Sequence, residues 1–223
     1  MTRFAPKTSI AKLLVRLGVP ADVLTVAGLG FSFYAAARIL GDDYFSAGWM
    51  LLLSGFLDML DGAVARESGK SGAFGGILDS SLDRYGDGAV LCALVIHGMQ
   101  LTQYAFALWA ASALVGSFSI SYVRARAECE TENCRVGFWE RGERLVLICL
   151  GLFFSNLGAA VCILGVGTHW TVFQRLAFAK IKTAKPSSNE IPFYLRSNPR
   201  NSPVYFLKVG ILLLLMFFWH PMS

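Results

Sequence analysis

Five aspartates, Asp58, Asp61, Asp79, Asp83 and Asp87, stand within the stretch from Phe56 to Gly88. Asp58 and Asp61 are three apart, and the other three follow at every fourth residue, so each set lies along one face of a helix. The turn ESGKSGAFGG at residues 67–76 joins these faces and makes the two helices antiparallel neighbours. Four or five carboxylates therefore converge. Like charges brought that close in a low dielectric protonate or repel unless a cation sits among them.

Acids inside a membrane serve chiefly as proton relays, ion pathways or metal sites. A pathway would spread them through the membrane's depth. Here they gather at one edge beside Gly62, Ala63, Ala65, Gly75 and Gly76, where a sizeable ligand can approach the backbone. That favours a metal together with a phosphate. Carboxylate-only sites suit hard cations, Mg²⁺ or Mn²⁺, and two such ions would stabilise the attacking and leaving oxygens of an in-line phosphoryl transfer. The competing reading makes the aspartates helix caps or partners of Arg66 and Arg84. It fails for the first four together, because a cap needs only one acid per helix end. For Asp87 alone it stays open.

The elements that must carry these residues are membrane helices. Of 223 residues, 55% are hydrophobic and 16% charged, well below the roughly 25% charged of a soluble domain. Apolar runs near the roughly 20 residues that cross a bilayer place spans at 21–40, 44–66, 73–98, 102–126, 140–156, 158–180 and 203–219. Ahead of them, Thr2 to Leu17 is amphipathic, with Ile10, Leu13, Leu14 and Leu17 on one side. The run from Val23 to Leu40 is longer than a signal-peptide core and reads as a retained span.

Lysines and arginines fall almost wholly on one side of this topology. Arg3, Lys7, Lys12, Arg16, Arg66, Lys70, Arg124, Arg126, Arg141, Arg144 and Arg175 lie on the inner side, whereas the turns GDD at 41–43, MQLT at 99–102 and SNLG at 155–158 carry none. By the positive-inside rule the aspartate edge faces the cytoplasm of a multi-pass cell-membrane protein. The net charge of +5 belongs to these loops and matches no nucleic-acid module. Cys92, Cys149 and Cys162 lie in apolar runs as small core residues, while Cys129 and Cys134, in a polar loop, have no companion that would complete a metal site.

The aspartate stretch resembles the CDP-alcohol phosphotransferases (the CDP-alcohol phosphatidyltransferase family). Their signature D-x2-D-G-x2-A-R-x8-G-x3-D-x3-D is met without a gap by Asp58, Asp61, Gly62, Ala65, Arg66, Gly75, Asp79 and Asp83. The resemblance implies an enzyme with a di-metal site of Mg²⁺ ions, Mn²⁺ being the alternative, held by Asp58, Asp61, Asp79 and Asp83. Asp83 would also deprotonate the acceptor alcohol. Gly62, Ala65, Arg66 and Gly75 would belong to the CDP-lipid site, with Ser71 in the connecting turn. ADVLTVAG, from Ala21, resembles the start of the family's first span, which puts Asp22 and Thr25 near the same lipid.

Further segments resemble the branch that makes phosphatidylinositol phosphate from CDP-diacylglycerol and inositol 1-phosphate. They are LDSSLDRYGDGAV, ISYVRARAE and ERGERLV. In that branch three basic side chains hold the acceptor's phosphate, and the matching positions are Arg124, Arg144 with Arg141 close by, and Arg175. Bidentate arginines would select a phosphorylated alcohol over a free one. The bland alternative is that they touch lipid headgroups. Glycerol 3-phosphate would explain the same arginines, and a divalent-cation transporter is the rival from another class. The resemblance implies an all-α membrane protein, a homodimer, with a six-helix transmembrane core behind the amphipathic helix. The catalytic domain would span 1–182, with 183–223 a polar linker and an additional C-terminal hydrophobic helix.

Overall fold

The computed structural model describes residues 6–69, 72–131, 134, 136–184, 209–211 and 214. Among them are seven helices: α1 (Pro6–Arg16), α2 (Ala21–Leu40), α3 (Tyr44–Glu67), α4 (Ala73–Gln100), α5 (Tyr104–Glu128), α6 (Arg141–Phe153) and α7 (Leu157–Ala184). The expected class holds: the protein is helical and multi-pass. Four helices, α2, α3, α5 and α7, are long and apolar enough to cross a bilayer. The other two after α1 lie where spans were expected, at 73–98 and 140–156, but are less apolar or shorter than these four. Asp79, Asp83, Arg84 and Asp87 crowd the first half of α4. At 13 residues, α6 rises only about 20 Å against a hydrocarbon core of about 30 Å. Most of the expected span at 203–219 lies outside the described residues.

Two compact units divide the chain, Met1–Ala93 and Leu94–Ser223. In the first, α2 and α3 run against one another through small residues. Gly28 passes close to the Ser54 carbonyl, and Ser32 and Ser54 share a buried hydroxyl–hydroxyl hydrogen bond of 2.8 Å. Such residues let helices approach without the hydrophobic drive that water supplies. Asp43 caps α3 by accepting from the Ser46 backbone N–H at 3.1 Å, and it also pairs with Arg38. That guanidinium hydrogen bond, helped by Ser46, holds the Asp43 carboxyl down at about 2.

The amphipathic helix α1 docks through the flank beside the expected apolar side. Ala11 is buried with Leu24, Leu60 and Val64, and Leu14 and Val15 pack beside them, while Ile10, Leu13 and Leu17 stay exposed. An apolar flank left open on a short helix with basic residues suits the bilayer interface.

In the second unit, α7 packs against α5 and α6. A Cβ on Gly116 of α5 would lie 2.1 Å from Thr168 Oγ1, so only glycine permits this crossing. The three expected outer turns each contain a non-glycine residue at positive φ, namely Asp42, Thr102 and Ser155. Asn156 then caps α7, its side-chain oxygen accepting from the Ala159 N–H at 3.3 Å.

Candidate active site

The last three turns of α3 carry Asp58, Asp61, Gly62, Ala65 and Arg66, and the second turn of α4 carries Asp79. The reversal between them begins at Ser68, whose hydroxyl donates to the Ala65 carbonyl at 3.2 Å, and passes through Gly69 at φ +65. A positive φ there favours glycine. One carboxylate oxygen each from Asp58, Asp61 and Asp79 lies within 4.8 Å of the others. Asp61 is buried and its two companions are half-buried.

At 4.8 Å and an effective dielectric of about 20, each ionised pair repels by at least about 3 kcal/mol. Three such pairs rival the whole stability of a domain, so the cluster calls for positive charge. Oxygen-only donors at this spacing fit a hard divalent cation. The other two acids are not in this group of three. Asp83 lies one turn beyond Asp79 on the same face of α4, and Asp87 one turn further; both are half-buried.

Thr25 is closer to the chemistry than expected. Its hydroxyl donates to Asp61 Oδ2 at 2.8 Å, with the Ala21 carbonyl as a second acceptor at 3.2 Å. It therefore fixes one oxygen of a metal-ligand candidate. Asp22 lies exposed in the first turn of α2, and Arg66 is exposed near the end of α3. Ser71 lies outside the described residues.

The glycines divide by what surrounds them. Gly28 and Gly116 serve helix packing, but a Cβ on Gly72, Gly75 or Gly76 would meet nothing within 4 Å, and one on Gly62 would touch only the flexible Arg66 guanidinium at 3.4 Å. A helical glycine costs roughly 1 kcal/mol relative to alanine. Packing does not account for that cost at Gly75 and Gly76, where bare backbone stands beside the acids.

The second unit gathers basic residues. Arg175 lies within electrostatic reach of Arg124, Arg144 and Glu140. Arg175 is 2% exposed and Arg144 is 6% exposed. Side chains that reach out to lipid headgroups keep their charged ends in water, so this burial speaks against the headgroup reading for both. Arg175 donates from Nε to the Val136 carbonyl at 2.9 Å and from NH1 to the Ile120 carbonyl at 2.7 Å, leaving part of its guanidinium for other acceptors. Arg144 donates from NH1 to the Trp139 carbonyl at 3.1 Å. Arg124 is half-buried and pairs with Glu128 at 3.0 Å, and Arg141 opens α6. Cys129 and Cys134 are both free thiols. Cys134 is wholly buried among Ala127, Val136 and Phe178, and burial raises its thiol pKa.

Local sequence does not single out Trp139 and Thr171, which are joined by a hydrogen bond from the Trp139 N–H to Thr171 Oγ1 at 3.4 Å. Their signals were an aromatic pair, Phe138 and Trp139, in an otherwise polar loop, and the small-residue run Gly165, Gly167, Thr168 and Thr171 in α7.

Known proteins resemble this chain in sequence and in fold. The family model described as CDP-alcohol phosphatidyltransferase matches residues 19–173. An archaetidylinositol phosphate synthase of Pyrococcus horikoshii is 34% identical over 176 residues, covering 78% of this chain and 91% of that protein. The crystal structure of a Mycobacterium tuberculosis phosphatidylinositol phosphate synthase with CDP-DAG bound matches with a TM-score of 0.72 at 33% identity, over 78% of this chain and 93% of that one. A second structure of that synthase, in complex with manganese and citrate, matches with a TM-score of 0.73 at 31% identity, over 83% and 93% of the two chains.

Proposed function

The chain belongs to the CDP-alcohol phosphatidyltransferase family, and from that premise we propose that this membrane transferase moves a phosphatidyl group from CDP-diacylglycerol to inositol 1-phosphate, forming phosphatidylinositol phosphate and CMP. The observation that carries the choice of a phosphorylated acceptor is the gathering of Arg124, Arg144 and Arg175, two of them buried. The relatives' names favour inositol phosphate over glycerol 3-phosphate: one is an archaetidyl and the other a phosphatidyl enzyme, yet both name an inositol phosphate lipid. The transporter reading gains nothing from this family membership.

In the proposed reaction the acceptor hydroxyl attacks the phosphorus next to the diacylglycerol. A new P–O bond forms, the P–O bond to CMP breaks, and CMP leaves with the bonding pair. Asp58, Asp61, Asp79 and Asp83 would hold two Mg²⁺ ions, with Mn²⁺ the alternative. Bound there, the cations would supply positive charge to the phosphate oxygens as charge shifts onto the leaving group. A relative captured with manganese supports a divalent ion.

Asp83 takes the acceptor's proton. A carboxylate with an ordinary pKa near 4 is a weak base for an alcohol, so the transfer accompanies P–O bond formation and does not precede it. Asp22, Thr25, Gly62, Ala65, Arg66, Ser71 and Gly75 would line the CDP-lipid side, where the bare backbone at Gly75 admits a nucleotide. Arg124, Arg144 and Arg175, with Arg141 near, grip the acceptor phosphate. We place this chemistry at the cytoplasmic edge of a cell-membrane homodimer with a six-helix core, a side chosen from the lysine and arginine bias.

Kinetics of Arg124→Gln test the phosphate assignment. The expected result is a rise of about tenfold or more in the KM for inositol 1-phosphate, since a charge-assisted hydrogen bond contributes roughly 1.5–3 kcal/mol. The KM for CDP-diacylglycerol should hold. Equal rises in both would refute an acceptor-phosphate role.

A further inference from the structure

We infer that Trp139, seated on Gly167 of α7, is a positioning residue that sets where Arg144 presents its guanidinium; this rests on the reading of Arg144 as a phosphate ligand. Residues 136–139, between α5 and α6, lie along one stripe of α7. Gly167, Thr171 and Arg175 recur at every fourth residue and so share a helix face, and each meets that segment. Arg175 Nε donates to the Val136 carbonyl. A Cβ on Gly137, which sits at φ +103, would lie 2.3 Å from Thr171 Cγ2. Thr171 Oγ1 accepts from the Trp139 N–H at 3.4 Å. A Cβ on Gly167 would lie 2.0 Å from Trp139 Nε1 and 2.4 Å from its Cε2. The indole therefore occupies the space that any larger residue at 167 would fill.

Trp139 holds Arg144 in turn. Its carbonyl accepts from Arg144 NH1 at 3.1 Å, and Trp139 is 5% exposed. The start of α6 has no side-chain cap: Glu140 is extended and makes no capping hydrogen bond. Its N–H is taken by the Phe138 carbonyl at 2.9 Å, and its carbonyl accepts the Arg144 N–H at 3.2 Å. With no capping side chain, the docked Trp139 fixes both where α6 begins and where Arg144's side chain is anchored. Phe138 braces the indole edge-on, with ring centroids 5.1 Å apart.

The test uses the full-length protein in nanodiscs, with inositol 1-phosphate and CDP-diacylglycerol as the varied substrates. Gly167→Ala drives a methyl into the indole. Displacing a binding group by about 1 Å can cost up to about a hundredfold, so the KM for inositol 1-phosphate is expected to rise about 10- to 100-fold. The KM for CDP-diacylglycerol should stay within about twofold, a split that general destabilisation would not produce. Adding Trp139→Leu to Gly167→Ala should raise the acceptor KM no further than the larger single effect, because both substitutions act through the one contact. Trp139→Leu alone, which creates no clash, should show the same split and serves if Gly167→Ala does not fold.

Equal changes in both KM values for Trp139→Leu, or effects that add fully in a folded double variant, would overturn the inference. Arg144→Gln separates the two levels of the proposal. If it leaves the acceptor KM unchanged, the phosphate role itself fails. If it raises that KM while Trp139→Leu does not, only the role of Trp139 fails.

Discussion

Replacing Thr25 with valine removes one hydroxyl and keeps the side chain's volume and branching, which isolates its hydrogen bond to Asp61. The bond is 2.8 Å long and its acceptor is a buried carboxylate in a cluster with Asp58 and Asp79. Hydrogen bonds to charged groups contribute roughly 1.5–3 kcal/mol. Partners that orient a metal's ligands change metal affinity by about 10- to 100-fold when removed, or about 1.4–2.7 kcal/mol. Thr25 is itself half-buried and its proton is shared with the Ala21 carbonyl, which puts the expectation toward the lower end. Mn²⁺ binding to lipid-free protein, followed by electron paramagnetic resonance, should weaken about tenfold in Thr25→Val and hardly at all in Thr25→Ser. If Thr25 served only the CDP-lipid, Mn²⁺ affinity without lipid would be unchanged, and that result would refute the reasoning.

Other consequences follow from single contacts. Asp83→Asn should reduce turnover by about a hundredfold or more while CDP-diacylglycerol binding falls far less, since a general base contributes about 10²–10⁴-fold; full activity would remove Asp83 from that role. Gly116→Ala sets a methyl 2.1 Å from Thr168 Oγ1 and should cost about 1–3 kcal/mol, seen as a lower thermal midpoint in detergent and partly restored by Thr168→Ala. Because the Asp43 carboxyl is held down at about 2, its contribution is present above its unfolded value near 4 and is lost as pH falls toward 2. The difference in thermal midpoint between the native chain and Asp43→Asn should therefore be constant from pH 7 to 5, shrink between about pH 4 and 2, and vanish below about pH 2. A difference that does not shrink as pH falls from about 4 to 2 would contradict the Arg38 pairing.

The grouping of Asp58, Asp61 and Asp79 was legible because its information is local. Helical spacing aligns Asp58 with Asp61, and a glycine-bearing turn fixes which neighbour brings Asp79 opposite. The turns were legible too, since short polar breaks between long apolar runs leave little choice. α6 lies within the expected 140–156 but covers only 141–153, because the turn at Ser155 and Asn156, which caps α7, close it. On α1 the periodicity marks an apolar side but does not say which residues meet protein. In a membrane an apolar face can meet lipid as well as protein, so Ile10, Leu13 and Leu17 needed no protein partner.

The arginines mark the limit of local reading. A run of basic residues near a membrane edge looks the same whether it reaches lipid or is enclosed, and only the tertiary fold shows Arg144 and Arg175 buried. Trp139 was illegible for a related reason. Its importance comes from Gly167, 28 positions along the chain, and no helical or strand period links the two.

The central claim is the identity of the acceptor, and its most direct measurement is an acceptor panel. Purified protein receives CDP-diacylglycerol and Mg²⁺ with inositol 1-phosphate, glycerol 3-phosphate or free inositol, while CMP release is followed and the lipid product is identified by mass spectrometry. The account predicts rapid CMP release and phosphatidylinositol phosphate with inositol 1-phosphate, and little turnover with the other two. Turnover with glycerol 3-phosphate alone, or with free inositol as readily as with its phosphate, would contradict it.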